Sequence, residues 1–338
     1  MAISIGTGIN IGGGINIRHP VPVTNTWSQT EFSTAPAAIS DFLYGNGIYV
    51  GWTNNFATAY YTSTDLINWT SRSMPAGVTK PNRQVGTALF NAGYFWGWFS
   101  EGSPNFYARL YKSSDGINWT LVYEPGVNSY VMFTSDGDSH YCAATYYGTG
   151  TTYTSPDGTS WTRNTGNIAV GSLSTWNFAL RTDGTGAAPA YGNPTSLTNC
   201  LYYTTDYGVT WTGTGPPSGG YTNWQSVQYL GGKFVALRGQ GSNIFSYSSD
   251  SGVTWSAPAT IDTIGNASYL NYFVSNGNTM IATGSLSSTT RSYYTTDGVN
   301  WSYTPIAAGA TNFYTISYAN GEWLAQGAGN KIYKGSFA

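Results

Sequence analysis

The stretch Ser63-Thr64-Asp65-Leu66-Ile67-Asn68-Trp69 has five counterparts further along the chain. They occupy 113–119, 155–161, 204–211, 248–255 and 295–301, and each opens on Ser or Thr, places Asp two residues on and ends in Trp. The tryptophans Trp69, Trp119, Trp161, Trp211, Trp255 and Trp301 lie 50, 42, 50, 44 and 46 residues apart. A period of about 45 residues that ends each time in the same hairpin marks small sheets arrayed around an axis, a β-propeller.

The motif has a local reason. A short loop between two strands leaves backbone N–H groups without ladder partners. The carboxylates of Asp65, Asp115, Asp157, Asp206, Asp250 and Asp297, with the Ser or Thr two residues earlier, can accept those donors. Gly116, Gly158, Gly208, Gly252 and Gly298 suit a turn that needs positive φ, whereas the first copy carries Leu66-Ile67 there. That first turn is expected to be the most strained of the six. Each Trp then starts the outgoing strand, with its ring against the loop it closes.

The pattern resembles the Asp box, or BNR repeat, of sialidase-like propellers, over roughly residues 21–338. The resemblance implies the fold more firmly than a function. Asp boxes occur in sialidases, other glycosidases, sorting receptors, photosystem assembly factors and phage virion proteins, and a fold does not fix chemistry.

Hairpins upstream of the boxes give an independent count. They centre on Asn46-Gly47, Ala92-Gly93, Asp136-Gly137, Asp183-Gly184, Gly231-Gly232, Asn276-Gly277 and Asn320-Gly321. Seven hairpins predict seven four-stranded antiparallel blades. The strand after the turn alternates large with small: Tyr49/Gly51, Phe95/Gly97, Tyr141/Ala143, Phe234/Ala236, Met280/Ala282 and Trp323/Ala325. The fourth unit lacks this pattern, and its 184–198 stretch reads as an enlarged loop. In the seventh unit Ile332-Tyr333-Lys334-Gly335-Ser336 resembles the strand entering a box. Trp27 precedes Trp69 by 42 residues, one blade period, so a strand around residues 22–32 is expected to complete the seventh blade and close the ring.

Residues 21–338 therefore read as one ring, preceded by an arm at residues 1–20. The arm repeats a hexapeptide: Ile3-Ser4-Ile5-Gly6-Thr7-Gly8, Ile9-Asn10-Ile11-Gly12-Gly13-Gly14 and Ile15-Asn16-Ile17-Arg18-His19-Pro20. Its isoleucines all fall at odd positions, on one side of an extended chain. Their burial is worth roughly 9–18 kcal/mol before ordering losses, at about 1.5–3 kcal/mol each. The start lacks the basic segment and cleavage site of a secretory leader. Two uses remain open, folding back on its own propeller or pairing with other chains. The opening also resembles the Gly/Ile-rich starts of structural proteins of tailed phages, especially those infecting marine cyanobacteria.

Composition narrows the function. Charged residues make up 8% of the chain, against the roughly 25% usual for soluble domains. With 13 basic and 15 acidic side chains and no basic run, nucleic-acid binding has little electrostatic support, and no apolar stretch reaches membrane-span length. Two cysteines, Cys142 and Cys200, in different units read as small buried thiols, and two distant histidines make a zinc site an unsuitable reading. No cofactor or metal is expected.

A sialidase-like enzyme needs three converging arginines, a Tyr–Glu nucleophile pair and an acid. The family's Arg-Ile-Pro segment is absent, since Arg18-His19-Pro20 lies in the arm. Six of the eleven aspartates sit in boxes, and only Glu101, Asp262 and Glu124 fall near loops on the face away from them. No enzyme is expected. A binding face is a stronger candidate, carried by Trp52, Phe56, Trp98, Tyr147, Trp176, Trp224 and Arg238, where aromatics beside amides suit sugar stacking. The competing reading of those tryptophans is packing between blades. The expected function is a non-enzymatic structural protein of a tailed-phage virion, assembled in the host cytoplasm, on a tail fibre or elsewhere on the particle. Its partners would be other virion proteins through residues 1–20, further copies of itself, and a host-surface polysaccharide. A sialidase-like glycoside hydrolase, a lectin and a cellular assembly factor are the alternatives.

Overall fold

The computed structural model describes residues 35, 37, 39–53, 59–75, 78–79, 88–101, 107–126, 131–145, 150–165, 177–189, 200–215, 217, 224–238, 243–261, 269–285, 290–305 and 313–335. The chain is a seven-bladed β-propeller of four-stranded antiparallel blades. Within a blade the strands follow in chain order, as in blade 1: Ile39–Gly45, Ile48–Thr53, Ala59–Ser63 and Thr70–Ser73. Blade 2 departs slightly. Its first strand is split into Val78–Thr79 and Ala88–Asn91, both paired with Tyr94–Glu101. Blades 3 to 6 fill 131–164, 179–214, 224–260 and 269–305. Blade 7 shows three strands, Phe313–Ala319, Glu322–Gly327 and Ile332–Gly335. The closing strand expected around residues 22–32, Trp27 and the six arm isoleucines all lie outside the described residues.

All seven expected hairpins are present. Four turn on two residues at positive φ, such as Asn46 (49°) with Gly47 (82°) and Asn320 (52°) with Gly321 (76°). That geometry matches the right-handed twist of the flanking strands.

Alternation along each second strand decides which blade it faces. Tyr49 packs toward blade 7 with Leu324 and Ile332, while the intervening Val50 packs toward blade 2 with Phe95 and Phe99. Phe95 likewise faces backward and Trp96 forward, onto Tyr141. The core is therefore a set of seams between neighbouring blades. The small partner leaves room for its neighbour: a β-carbon on Gly51 would sit 2.9 Å from Ile39 and 3.2 Å from Trp69. Blades 7 and 1 meet directly, where Ser317 Oγ donates to Asp41 Oδ1 (3.1 Å) and the Asn320 amide to the Tyr49 hydroxyl (3.0 Å).

One expectation fails in blade 4. Gly186–Pro189, inside the stretch read as a loop, is that blade's second strand, paired with Ala179–Leu180 and Leu201–Thr204. Its Gly-Ala-Ala-Pro sequence has no β-branched or aromatic residue to mark a strand. All four residues are buried, so the strand is held by its neighbours and not by propensity.

Candidate functional site

The box loops follow one plan. Asp65 Oδ1 accepts the N–H groups of Ile67 and Asn68, both at 2.8 Å, and Oδ2 accepts the Asn68 amide at 2.8 Å. Ser63 Oγ accepts the Leu66 N–H (2.9 Å) and donates to Asp65 Oδ1 (2.9 Å). The last box repeats this through Thr295, Asp297, Val299 and Asn300. In the fourth, Thr210 replaces Asn as the donor to Asp206. At Asp65 the Asn68 backbone, the Asn68 amide and the Ile67 N–H hold the carboxyl well below the usual carboxylate range. At Asp115, Asp206, Asp250 and Asp297 partial burial pushes upward, and the loop donors outweigh it to leave a lowered pKa.

Trp69, Trp161, Trp211 and Trp255 close their own loops, each indole N–H donating to the carbonyl three residues earlier at 3.0–3.1 Å. Trp119 instead donates to the Tyr60 hydroxyl of blade 1 (2.9 Å). Every box Trp also packs into the seam with the preceding blade. Hairpins and boxes share one face, since the Asn46 amide donates to both Gly93 O (2.9 Å) and Ser114 O (2.7 Å) of blade 2.

The strain expected of the first box is shared. Leu66 has φ 62°, and Tyr207 (60°) and Ser251 (63°) are also non-glycine residues at positive φ. The fourth and fifth boxes are one residue longer, and the extra residue takes the left-handed conformation ahead of Gly208 and Gly252.

On the opposite face the tryptophan candidates are corrected. Trp52 and Trp98 are each 1% exposed and Trp224 is 0% exposed, so none offers a ring to a ligand. Trp52 packs on Tyr60, Phe99 and Trp119 at 4.9, 5.1 and 5.6 Å between centroids, and Trp98 meets Trp161 edge-on at 5.7 Å. Trp224 lies in the seam with Cys200, Leu201 and Ala236. Packing between blades outweighs sugar stacking for these three, because the ring gains far more area from neighbours than one sugar face supplies. Arg238 is half-buried at the end of its strand. Phe56, Tyr147, Trp176 and Asp262 fall outside the described residues. Glu124 is held by Arg109 at 2.7 Å, and Glu101 is a strand residue opposite Tyr107.

Cys142 and Cys200 are buried thiols in separate seams. Burial pushes the Cys142 thiol up and Cys200 to about 11, which leaves both protonated and unreactive at neutral pH. Asp136 is engaged in its own turn, accepting the Asp138 and His140 N–H groups, and the His140 ring stacks on Tyr207 at 3.7 Å. Among the described residues no group of three His, Cys, Asp or Glu could hold a metal ion, and no helix is long and apolar enough to cross a membrane.

Sequence reasoning missed a cavity of about 240 Å³ on the axis. First strands of five blades line it together with Asn177, just ahead of blade 4's first strand, with Asp41, Ser317, Thr134 and Asn177 as polar walls and Phe133 and Tyr318 as aromatic ones. Ser317 Oγ accepts the Phe42 N–H (3.3 Å), which turns its own proton toward Asp41.

The class defined by this geometry is an all-β propeller whose boxes brace the blades. No family model matches the chain, and no curated protein matches it. Solved structures do. Virginiamycin B lyase from Staphylococcus aureus, an enzyme, is similar at a TM-score of 0.64 and 12% identity, over 93% of this chain and 100% of that one. The β-propeller domain of Cps50 (Swd1) from Myceliophteria thermophila is similar at 0.63 and 9%, over 93% and 100%. The Dos1 propeller reaches 0.55 and 11%, over 89% and 78%. Likeness at such identities is likeness of fold.

Proposed function

We propose that the chain is a non-enzymatic structural protein of a tailed-phage virion. The propeller is displayed outward for host-surface glycan attachment or decoration of the particle, and residues 1–20 anchor it to other virion proteins. A division of labour supports this reading. The box aspartates are committed to their own loops, and the box tryptophans, with Trp52, Trp98 and Trp224, to the seams between blades. The alternating isoleucines of residues 3–17 answer to no requirement of a propeller. An uncharged, one-sided apolar strand is suited to pairing with another chain.

Deleting residues 2–20 tests the anchor. The truncated chain is expected to keep the β-sheet circular dichroism and thermal transition of the full chain, and to be missing from purified particles. Incorporation at the full-length level overturns the reading.

A further inference from the structure

Each blade with a described fourth strand presents that strand as an outer edge, an invitation to pairing that proteins block with charge, Pro, Gly, a β-bulge or brevity. Thr70–Ser73 carries Arg72, Thr162–Asn164 carries Arg163, Thr212–Thr214 carries Gly213 and Ser302–Pro305 ends in Pro305. Ala259–Thr260 is two residues long. Thr120–Tyr123 of blade 2, Thr-Leu-Val-Tyr, carries no charge, Pro or Gly, and its one protection is a bulge at Val122 in its pairing with Tyr107–Ser113. Leu121 is 45% exposed, and Tyr107 on the adjoining strand is 41% exposed. Lys112 lies opposite Thr120 on the adjoining strand with its ammonium over the Tyr94 and Trp96 rings, and Glu124 and Arg109 pair at 2.7 Å.

We propose that this edge is a strand-addition site, and that its occupant is an Ile-x-Ile unit from residues 3–17 of a second copy of the chain. The arm holds three such units, at 3–5, 9–11 and 15–17, separated by Gly6-Thr7-Gly8 and Gly12-Gly13-Gly14. A unit of three extended residues covers about 10 Å at ~3.3 Å per residue, and a four-residue edge offers about 13 Å. No charged side chain precedes Arg18, so nothing in the units opposes an apolar edge. One chain has three units and one such edge among its described strands, so even a chain that used its own arm leaves units for other copies. Main-chain hydrogen bonds supply the affinity, and the isoleucines flanking Leu121 supply the selectivity. The inference concerns the purified protein and does not depend on the virion reading.

Sedimentation velocity of the full chain across a concentration series tests it. The wild type is expected to self-associate, and Leu121→Lys, an edge charge at an exposed position, to weaken association about tenfold or more. Circular dichroism and the melting temperature should stay at wild-type values. A wild type that remains monomeric, or a Leu121→Lys variant that associates as the wild type does, overturns the proposal. A photoreactive benzoylphenylalanine at position 121, mixed with nitrogen-15-labelled wild-type chains, identifies the occupant. Cross-links to residues 1–20 of the labelled chain support it, and cross-links confined to one chain or to other segments overturn it. Absence from particles in the deletion experiment leaves this measurement untouched.

Discussion

At Gly158 the backbone φ is +74°, and a β-carbon there would lie 2.6 Å from Trp96 of the preceding blade. At Gly137 φ is +85° and nothing lies within 4 Å. Alanine at the two positions separates backbone strain from crowding. Gly137→Ala is expected to lower unfolding free energy by about 1–2 kcal/mol, the left-handed penalty alone. Gly158→Ala adds overpacking of about 1–3 kcal/mol, and urea titration of both variants reads the difference. Leu66 shows the same slot used differently. Its side chain is 1% exposed in the seam with Leu324, and burial worth about 1.5–3 kcal/mol offsets the strain of φ 62°. The box carboxylates set an acid limit. Their folded pKa values are depressed, so the stability they give is complete above the ordinary carboxylate value and is lost as pH falls below it. The melting temperature is expected to hold from about pH 7 to 5 and fall below about pH 4, with Asp297→Asn flattening that fall. Side-chain direction was readable at this scale. Trp52 stands two residues after Val50, on the same side of the strand, which already aims it at blade 2.

Among the elements, six seams carry a box Trp from the later blade, whereas the described seam between blades 6 and 7 has Ile281, Ile316 and Trp323 but no box Trp. Blade 6 meets that seam with Thr283 and Ser292, each 1% exposed, at the positions where blade 1 has Trp52 and Tyr60. Small side chains there leave room for an incoming ring. Trp119 precedes Val131, and Trp301 precedes Phe313, by twelve residues, the separation of Trp27 from Ile39. Trp27→Ala is therefore expected to destabilise the propeller by about 3–5 kcal/mol, as loss of a core Trp does, measured by thermal and urea unfolding. A surface Trp would change stability by less than about 0.5 kcal/mol. The unit count was legible because hairpins such as Asn46-Gly47 and Asn320-Gly321 punctuate the chain. The second strand of blade 4 was not, because Gly186-Ala187-Ala188-Pro189 is a strand by context alone.

For the whole molecule, the ring order followed from periodicity, but what the ring encloses did not. Asp41, Thr134, Asn177 and Ser317 reach one axial cavity from four blades, and no local pattern announces a meeting between residues so far apart in sequence. The joint between blades 7 and 1 has a further consequence. Asp41 and Ser317, 276 positions apart, are brought within 3.1 Å by the five intervening blades. That last contact forms between surfaces already tethered within reach, so its effective concentration is high even if its intrinsic affinity is modest. Damage to any one of the other joints would open the circle into a horseshoe still held at six places, which makes the protein tolerant of a single faulty weld and intolerant of two.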